Sequence, residues 1–108
     1  MEPIDERVLV QHGVDVTFVT FNDKEILEEQ HVNEIEEEIM SVVEEAKREN
    51  MMLDFSNVQF MTSAFLGLLV KIHKRIRERG GYLKLRHINP TIYKVFEITQ
   101  LTKVFDIS

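Results

Sequence analysis

Residues 51–70 read MMLDFSNVQFMTSAFLGLLV, and a change of period inside them decides the fold. Met51 to Phe55 is a short apolar run containing one acid, Asp54, as a buried strand reads, and Ser56-Asn57 is turn chemistry. Beyond the turn, Phe65, Leu68, Leu69, Ile72 and Ile76 recur at helical spacing. Leu66 and Val70 widen that stripe, while Lys71, Lys74, Arg77 and Glu78 fall mainly outside it. The spacing predicts an amphipathic helix that begins at Thr62 or Ser63. It ends at Gly80-Gly81, where glycine tolerates the left-handed conformation that closes a helix. The first backbone N–H groups of such a helix have no partner within it, so hydroxyl side chains are favoured there as acceptors, and the positive end of the helix dipole favours a nearby anion. Two readings of Thr62-Ser63 stay open: a plain N-cap, and a regulatory hydroxyl at the strand-to-helix corner.

Working outward, Arg7 to Gln11 and Val14 to Phe21 are β-rich, with His12-Gly13 between them as a two-residue hairpin turn. Within the second segment Val16, Phe18 and Thr20 share one face and Asp15, Thr17, Val19 and Phe21 the other, the pattern of a central strand packed on both sides. Asn22-Asp23-Lys24 breaks the pattern, and Glu25 to Gln30 leads toward a long helix over about His31 to Glu49. Its stripe is Val32, Ile35, Ile39, Val42, Val43 and Ala46. Downstream, Tyr82 to Arg86 reads as a strand. Asn89-Pro90 is an N-cap followed by proline at the first helical position, and the short helix it opens runs to about Thr99 with Ile92, Val95, Phe96 and Leu101 facing inward. Val104 to Ile107 is a last short strand or a docked tail. The order strand, strand, helix, strand, helix, strand, helix implies an α/β fold: a mixed four- to five-stranded sheet with an N-terminal hairpin. Right-handed crossovers place the helices largely on one side. No internal repeat, low-complexity tract or linker divides residues 1–108, so one domain is expected.

A chain of 108 residues removes roughly 65% of its unfolded surface from water on folding, enough for a core without staples. It contains no cysteine, which excludes disulfides, thiolate nucleophiles and zinc–thiolate sites. Residues 1 to 10 carry Glu2, Asp5, Glu6 and Arg7, unlike a signal peptide, and no apolar run is long enough to span a bilayer; a cytoplasmic protein without a membrane segment is expected. The net charge of −6 is unevenly placed. Asp23 to Glu49 holds eleven acids against three bases, 3 − 11 = −8, and Lys71 to Arg86 holds seven bases against one acid, 7 − 1 = +6. These are two helix faces of opposite sign, facing each other or a protein partner. Nucleic acid is not the expected partner, because the total charge repels phosphate and no aromatic residues interleave with the bases. The glutamates of the first long helix read as a hydrated face rather than a metal site, since only His31, beside Glu34, is near enough to join them. No cofactor is implied.

The stretch Asp54-Phe55-Ser56-Asn57-Val58-Gln59-Phe60-Met61-Thr62-Ser63-Ala64-Phe65-Leu66-Gly67 resembles the signature of the STAS domain, named for sulfate transporters and bacterial anti-sigma factor antagonists. In that family a strand ending in Asp-Leu-Ser leads through an apolar pair to Asp-Ser-Ser-Gly-Leu-Gly at a helix start. The likeness runs along essentially the whole chain, through the early hairpin, Gly80-Gly81 before Tyr82-Leu83-Lys84-Leu85, Asn89-Pro90 and Val95-Phe96-Glu97-Ile98-Thr99. It is nearer to the free-standing bacterial antagonists than to a transporter tail. The resemblance implies a partner-switching module that regulates transcription: an antagonist binds an anti-sigma factor of kinase-like ATP-binding fold and frees the sigma factor, until phosphorylation of the second serine of Asp-Ser-Ser-Gly blocks binding. A monomer or weak dimer suits that role. A structural subunit of an assembly built from other STAS proteins is the alternative.

At the signature itself the chain departs from the family. Thr62 takes the place of the Asp, Ser63 that of the first Ser, Ala64 that of the phosphorylated Ser and Phe65 that of the Gly. The usual acceptor is missing, so either binding is constitutive or a neighbouring hydroxyl, Ser63 before Thr62, takes the phosphate. Thr62, Ser63, Ala64 and Phe65 are the expected partner-binding residues, with Asp54, Ser56 and Asn57 shaping the loop. Phe65 has two readings, the first residue of the buried stripe or an exposed aromatic anchor. An enzyme is not favoured. The histidines are scattered, no glycine-rich phosphate loop occurs, and Asp54 with Ser63 lacks a base between them to make a nucleophile.

Overall fold

The computed structural model describes residues 7–45 and 50–108. Strands β1 (Val8–His12) and β2 (Thr17–Phe21) form the expected hairpin, and β4 (Asn50–Asp54), β6 (Tyr82–Arg86) and β7 (Asp106–Ile107) extend it to a five-stranded sheet in the order β1-β2-β4-β6-β7. β1 runs antiparallel to β2, and all later pairings are parallel. Three helices cross between the parallel strands, α1 (Glu29–Glu45), α2 (Ser63–Glu78) and α3 (Pro90–Ile98). Every crossover steps across the sheet in the same direction, so right-handed connections put all three helices on one face. Burial follows: Thr17, Val19 and Phe21 of β2, Met51 and Leu53 of β4, and Leu83 and Leu85 of β6 are covered, whereas Phe18, Thr20, Met52 and Lys84 on the opposite face are half-exposed. The expectation that Val14 to Phe21 packs on both sides is therefore corrected. Asp15, placed on the same face as Thr17, precedes the strand and is exposed.

Four local details differ from the sequence reading. The hairpin connection spans 13–16 instead of two residues, and Gly13 is needed because a Cβ there would lie 2.8 Å from the Val16 carbonyl oxygen. Glu25–Ile26 and Phe60–Met61 form a separate parallel pair, β3 and β5, too short to show a period of two. α1 starts at Glu29; its expected end near Ala46 to Glu49 lies outside the described residues. Val95 is exposed instead of inward, and Leu101 is half-buried in a short 3-10 turn, Leu101–Lys103.

The two oppositely charged helices do face each other. Lys71 pairs with Glu36, Arg75 Nη2 donates to Glu44 Oε1 at 2.7 Å, and Arg79 Nη1 lies 3.6 Å from Glu44. Exposed pairs of this kind contribute little stability, about 0–1 kcal/mol each. Beneath them Phe21, Phe55 and Phe65 form one aromatic cluster with ring centroids 4.9, 5.2 and 6.3 Å apart. At the far end of α2, His73 packs edge-on against Phe105 at 5.3 Å, and burial together with the nearby Arg77 pushes its pKa down. Gly80 closes α2 at φ +76°, as expected. Gly67 is different. It sits in the helix interior, and a Cβ there would meet nothing within 4 Å. Gly67→Ala is expected to raise the unfolding free energy by about 0.5–1 kcal/mol by restricting the unfolded chain, measurable by urea denaturation; a loss of stability would show that the helix needs glycine there.

Candidate functional site

Asp54 closes β4 and organises the corner after it. Its Oδ1 accepts from the Ser56 backbone N–H at 2.8 Å, an Asx turn that starts the loop, and its Oδ2 accepts from Arg86 Nε at 3.0 Å. His87 Nδ1 lies 3.2 Å from Asp54 Oδ1, with the His87 backbone held at φ +60°. Burial pushes the Asp54 carboxyl up, but the hydrogen bonds from the Ser56 backbone and hydroxyl, from His87 and from Arg86 outweigh it and hold the pKa below the usual carboxylate range. Asp54 is thus a fastener between the ends of β4 and β6. None of its hydrogen bonds goes to Ser63, so the one acid–hydroxyl pairing considered for catalysis is not formed.

A carboxylate with a lowered folded pKa stabilises fully above its unfolded value of about 3.9, and the contribution is lost as pH falls through the folded value. The unfolding free energy is therefore expected to start dropping as pH falls below about 5 and to go on dropping until the folded carboxyl is protonated, and the drop should flatten in Asp54→Asn. Parallel profiles for the two proteins would place the acid sensitivity elsewhere.

The rest of the loop is pinned residue by residue. Asn57 Nδ2 donates to the Phe21 carbonyl at 3.0 Å, and the Val58 N–H donates to the Phe55 carbonyl at 2.9 Å. Gln59 and Phe60 donate their N–H groups to the Lys24 carbonyl, and the Thr62 N–H donates to the Ile26 carbonyl at 3.2 Å, which fastens the entry of α2 to β3. Thr62 is the N-cap: its backbone is extended and its hydroxyl accepts from the Phe65 N–H at 3.4 Å. Of the two readings of Thr62-Ser63, the cap falls to Thr62. Ser63 and Ala64 follow it in the first turn, both exposed. Phe65 is fully buried in the aromatic cluster, so the aromatic-anchor reading is corrected and its side chain is not available to a partner.

The sequence reading missed what surrounds that first turn. α3 packs alongside, its N-cap Asn89 accepting from the Ile92 N–H at 2.8 Å while its amide donates to the Val58 carbonyl at 3.2 Å. Between the β3–β5 pair, the start of α2 and α3 lies an open groove of about 380 Å³ with a predominantly apolar lining. Leu27, Phe60, Met61, Leu66 and Val95 line it, with Ser63 on its rim; Leu27 is 50% and Phe60 51% exposed. The signal was present in the apolar residues Leu27, Phe60 and Val95, but they lie in a loop, a two-residue strand and a nine-residue helix, each too short to show a period that links them, and only the fold brings them together. Ala64 lies about 100° around the helix from Ser63 and outside the groove lining.

The STAS domain model matches residues 7–108. The chain belongs to the STAS domain family. Among its relatives, the anti-sigma F factor antagonist of Paenibacillus polymyxa is 30% identical over 59 residues, 55% of this chain and 50% of that protein. The anti-sigma-B factor antagonist of Bacillus subtilis (strain 168) is 36% identical over 52 residues, 48% of each. The chain thus spans about half the length of these two relatives. A solved anti-sigma-factor antagonist (STAS) domain protein from Planctomyces limnophilus superposes with a TM-score of 0.84 at 26% identity, covering 93% of this chain and 87% of that one. Among the described residues, no helix of this STAS domain is long and apolar enough to cross a membrane, and no group of three or more histidines and acids is placed to hold a metal.

Proposed function

We propose that this STAS domain is an anti-sigma factor antagonist that binds a kinase-fold anti-sigma factor through the corner where α2 begins, in a partner-switching circuit that controls transcription. The apolar groove beside Ser63 carries the reading. A groove that exposes half of Leu27 and half of Phe60 next to a helix N-terminus supports a protein-binding reading of this corner. An enzyme stays the less favoured class in this reading, because the one acid–hydroxyl pairing weighed as a nucleophile, Asp54 with Ser63, is not formed among the described residues.

Binding is constitutive in this proposal, because the family's acceptor position is Ala64. Ser63 is exposed on the groove rim and is the nearest substitute; Thr62, half-buried with its hydroxyl engaged by the Phe65 N–H, is the weaker one. The test is isothermal titration of the anti-sigma factor with this protein, before and after incubation of the pair with ATP. Equal affinity in both arms, with no phosphate found by mass spectrometry, is expected. ATP-dependent release with phosphate on Ser63 or Thr62 would overturn constitutive binding, and absence of any complex would overturn the antagonist reading in favour of assembly with other STAS proteins.

A further inference from the structure

The segment after α3 is lightly held. β7 is two residues long and pairs with β6 through Lys84 with Asp106 and Leu85 with Ile107, and Ser108 just beyond it donates its N–H to the Leu85 carbonyl at 2.9 Å. The Val104 and Phe105 N–H groups both donate to the Leu101 carbonyl at 3.0 Å, so they close the 3-10 turn and tie nothing to the rest of the domain. Leu101 and Ile107 are half-buried against the core. The fully seated anchor is Phe105, 4% exposed, whose ring lies 5.8 Å from Phe96 of α3 and 5.3 Å from His73 of α2. Few hydrogen bonds to the sheet and one deep anchor put this segment at the low end of local stability.

The imidazole under that anchor can carry a charge. Nδ1 of His73 is buried and has no hydrogen-bond partner among the described residues. A neutral ring can leave this nitrogen as a bare acceptor, whereas protonation makes both ring nitrogens donors and sets a charged N–H at a buried place with nothing to accept from it. Burial, and after it the charge of Arg77 one turn along α2, pushes the His73 pKa down. No acid answers that charge. His73 forms no ion pair or hydrogen bond with Lys103 or Asp106 of the docked segment, or with Lys94 or Glu97 of α3. Lys74, beside it on α2, is exposed, and Tyr82, Lys84 and Arg86 of β6 occupy the alternate positions that face the uncovered side of the sheet.

A ring that docks best when neutral links docking to pH. Once undocked, His73 is in water and titrates near the ordinary value of about 6.5; docked, it titrates lower. The undocked state therefore binds the proton better, so docking is at full strength above about pH 6.5 and weakens as pH falls from there until the docked ring is itself protonated. Asp54 acts in a lower window, below about pH 5. We propose that His73 is a pH-dependent latch: neutral, it holds Phe105 and with it residues 101–108 against α2 and β6, and protonated, it lets that segment go and leaves β6 as an edge strand.

Native-state amide exchange of the 15N-labelled full chain, corrected for the intrinsic pH dependence of exchange, tests this. From about pH 7.5 to about pH 5.5 the protection of the Phe105 and Ser108 amides is expected to fall at least about threefold, while that of Val19 in β2 and Leu69 in α2 holds. His73→Gln, which has no ring to protonate, is expected to flatten the profile. Arg77→Glu is an exposed change that puts a carboxylate one turn from the ring, and it is expected to flatten the profile as well, because the protonated ring then gains a partner in place. A flat profile in the parent, a fall that persists in His73→Gln, or a matching fall at Val19 and Leu69 would overturn the proposal. Should His73→Gln fail to fold, a fall that persists in Arg77→Glu would overturn it equally.

Discussion

Phe65→Ala is expected to lower the unfolding free energy by about 3–5 kcal/mol and the melting temperature by on the order of 15 °C. Phe65 is fully buried and meets Phe21 edge-on at 5.2 Å and Phe55 at 6.3 Å, so truncation removes one member of a three-ring cluster that joins β2, the β4 exit and α2. The site has little freedom to collapse, since Phe21 and Phe55 are themselves fully buried and held by the sheet. A neighbouring control sharpens the result. Ala64 is exposed one position earlier, and Ala64→Ser should change stability by no more than about 0.5 kcal/mol. Chemical denaturation of both variants measures the contrast; a Phe65→Ala protein as stable as the parent would place the ring outside the core.

The sequence was legible wherever period and punctuation agreed. The stripe from Phe65 to Ile76 gave α2 its start and its buried face because a 16-residue helix with Thr62 before it and Gly80 after it leaves little choice. Asn89-Pro90 did the same for α3. The illegible parts were short or tertiary. β3 and β5 are two residues each and exist because the Lys24 and Ile26 carbonyls find donors in Gln59, Phe60 and Thr62, thirty-odd residues away in the chain. Val95 followed an inward pattern in a helix of nine residues, too short for its stripe to fix which side meets the core and which meets a groove. The same limit applied to the candidate site. Thr62, Ser63 and Ala64 were placed correctly at the helix start, but the groove that gives the corner a shape needed Leu27 from the loop after β3, Met61 from β5 and Leu66 from α2 to converge. Asp54 was recognised as a loop former, and its partners Arg86 and His87 were not, since only the parallel register of β4 with β6 sets them beside it.

Phe60→Asp should weaken binding of the proposed anti-sigma factor partner at least a hundredfold, about 3 kcal/mol, while leaving the fold intact. Phe60 is half-exposed at the mouth of the groove, so its replacement removes little core. A partner side chain seated between Leu27, Leu66 and Val95 would instead bury a carboxylate with no basic residue in the groove lining to pair with it, and an unpaired buried charge is costly. Ser63→Ala provides the counterpart. It removes only a hydroxyl on the rim, and because Thr62 supplies the cap, both stability and affinity should stay within about threefold of the parent. Ser63→Glu lies between the two: the positive end of α2 accommodates the charge within the domain, yet the carboxylate projects to the groove rim and should weaken binding about tenfold. Calorimetric titration of the three variants, each first checked for an unchanged melting curve, orders them. If Phe60→Asp binds as the parent does while Ser63→Ala loses affinity, recognition rests on the hydroxyl and not on the groove, and the apolar lining must serve another purpose.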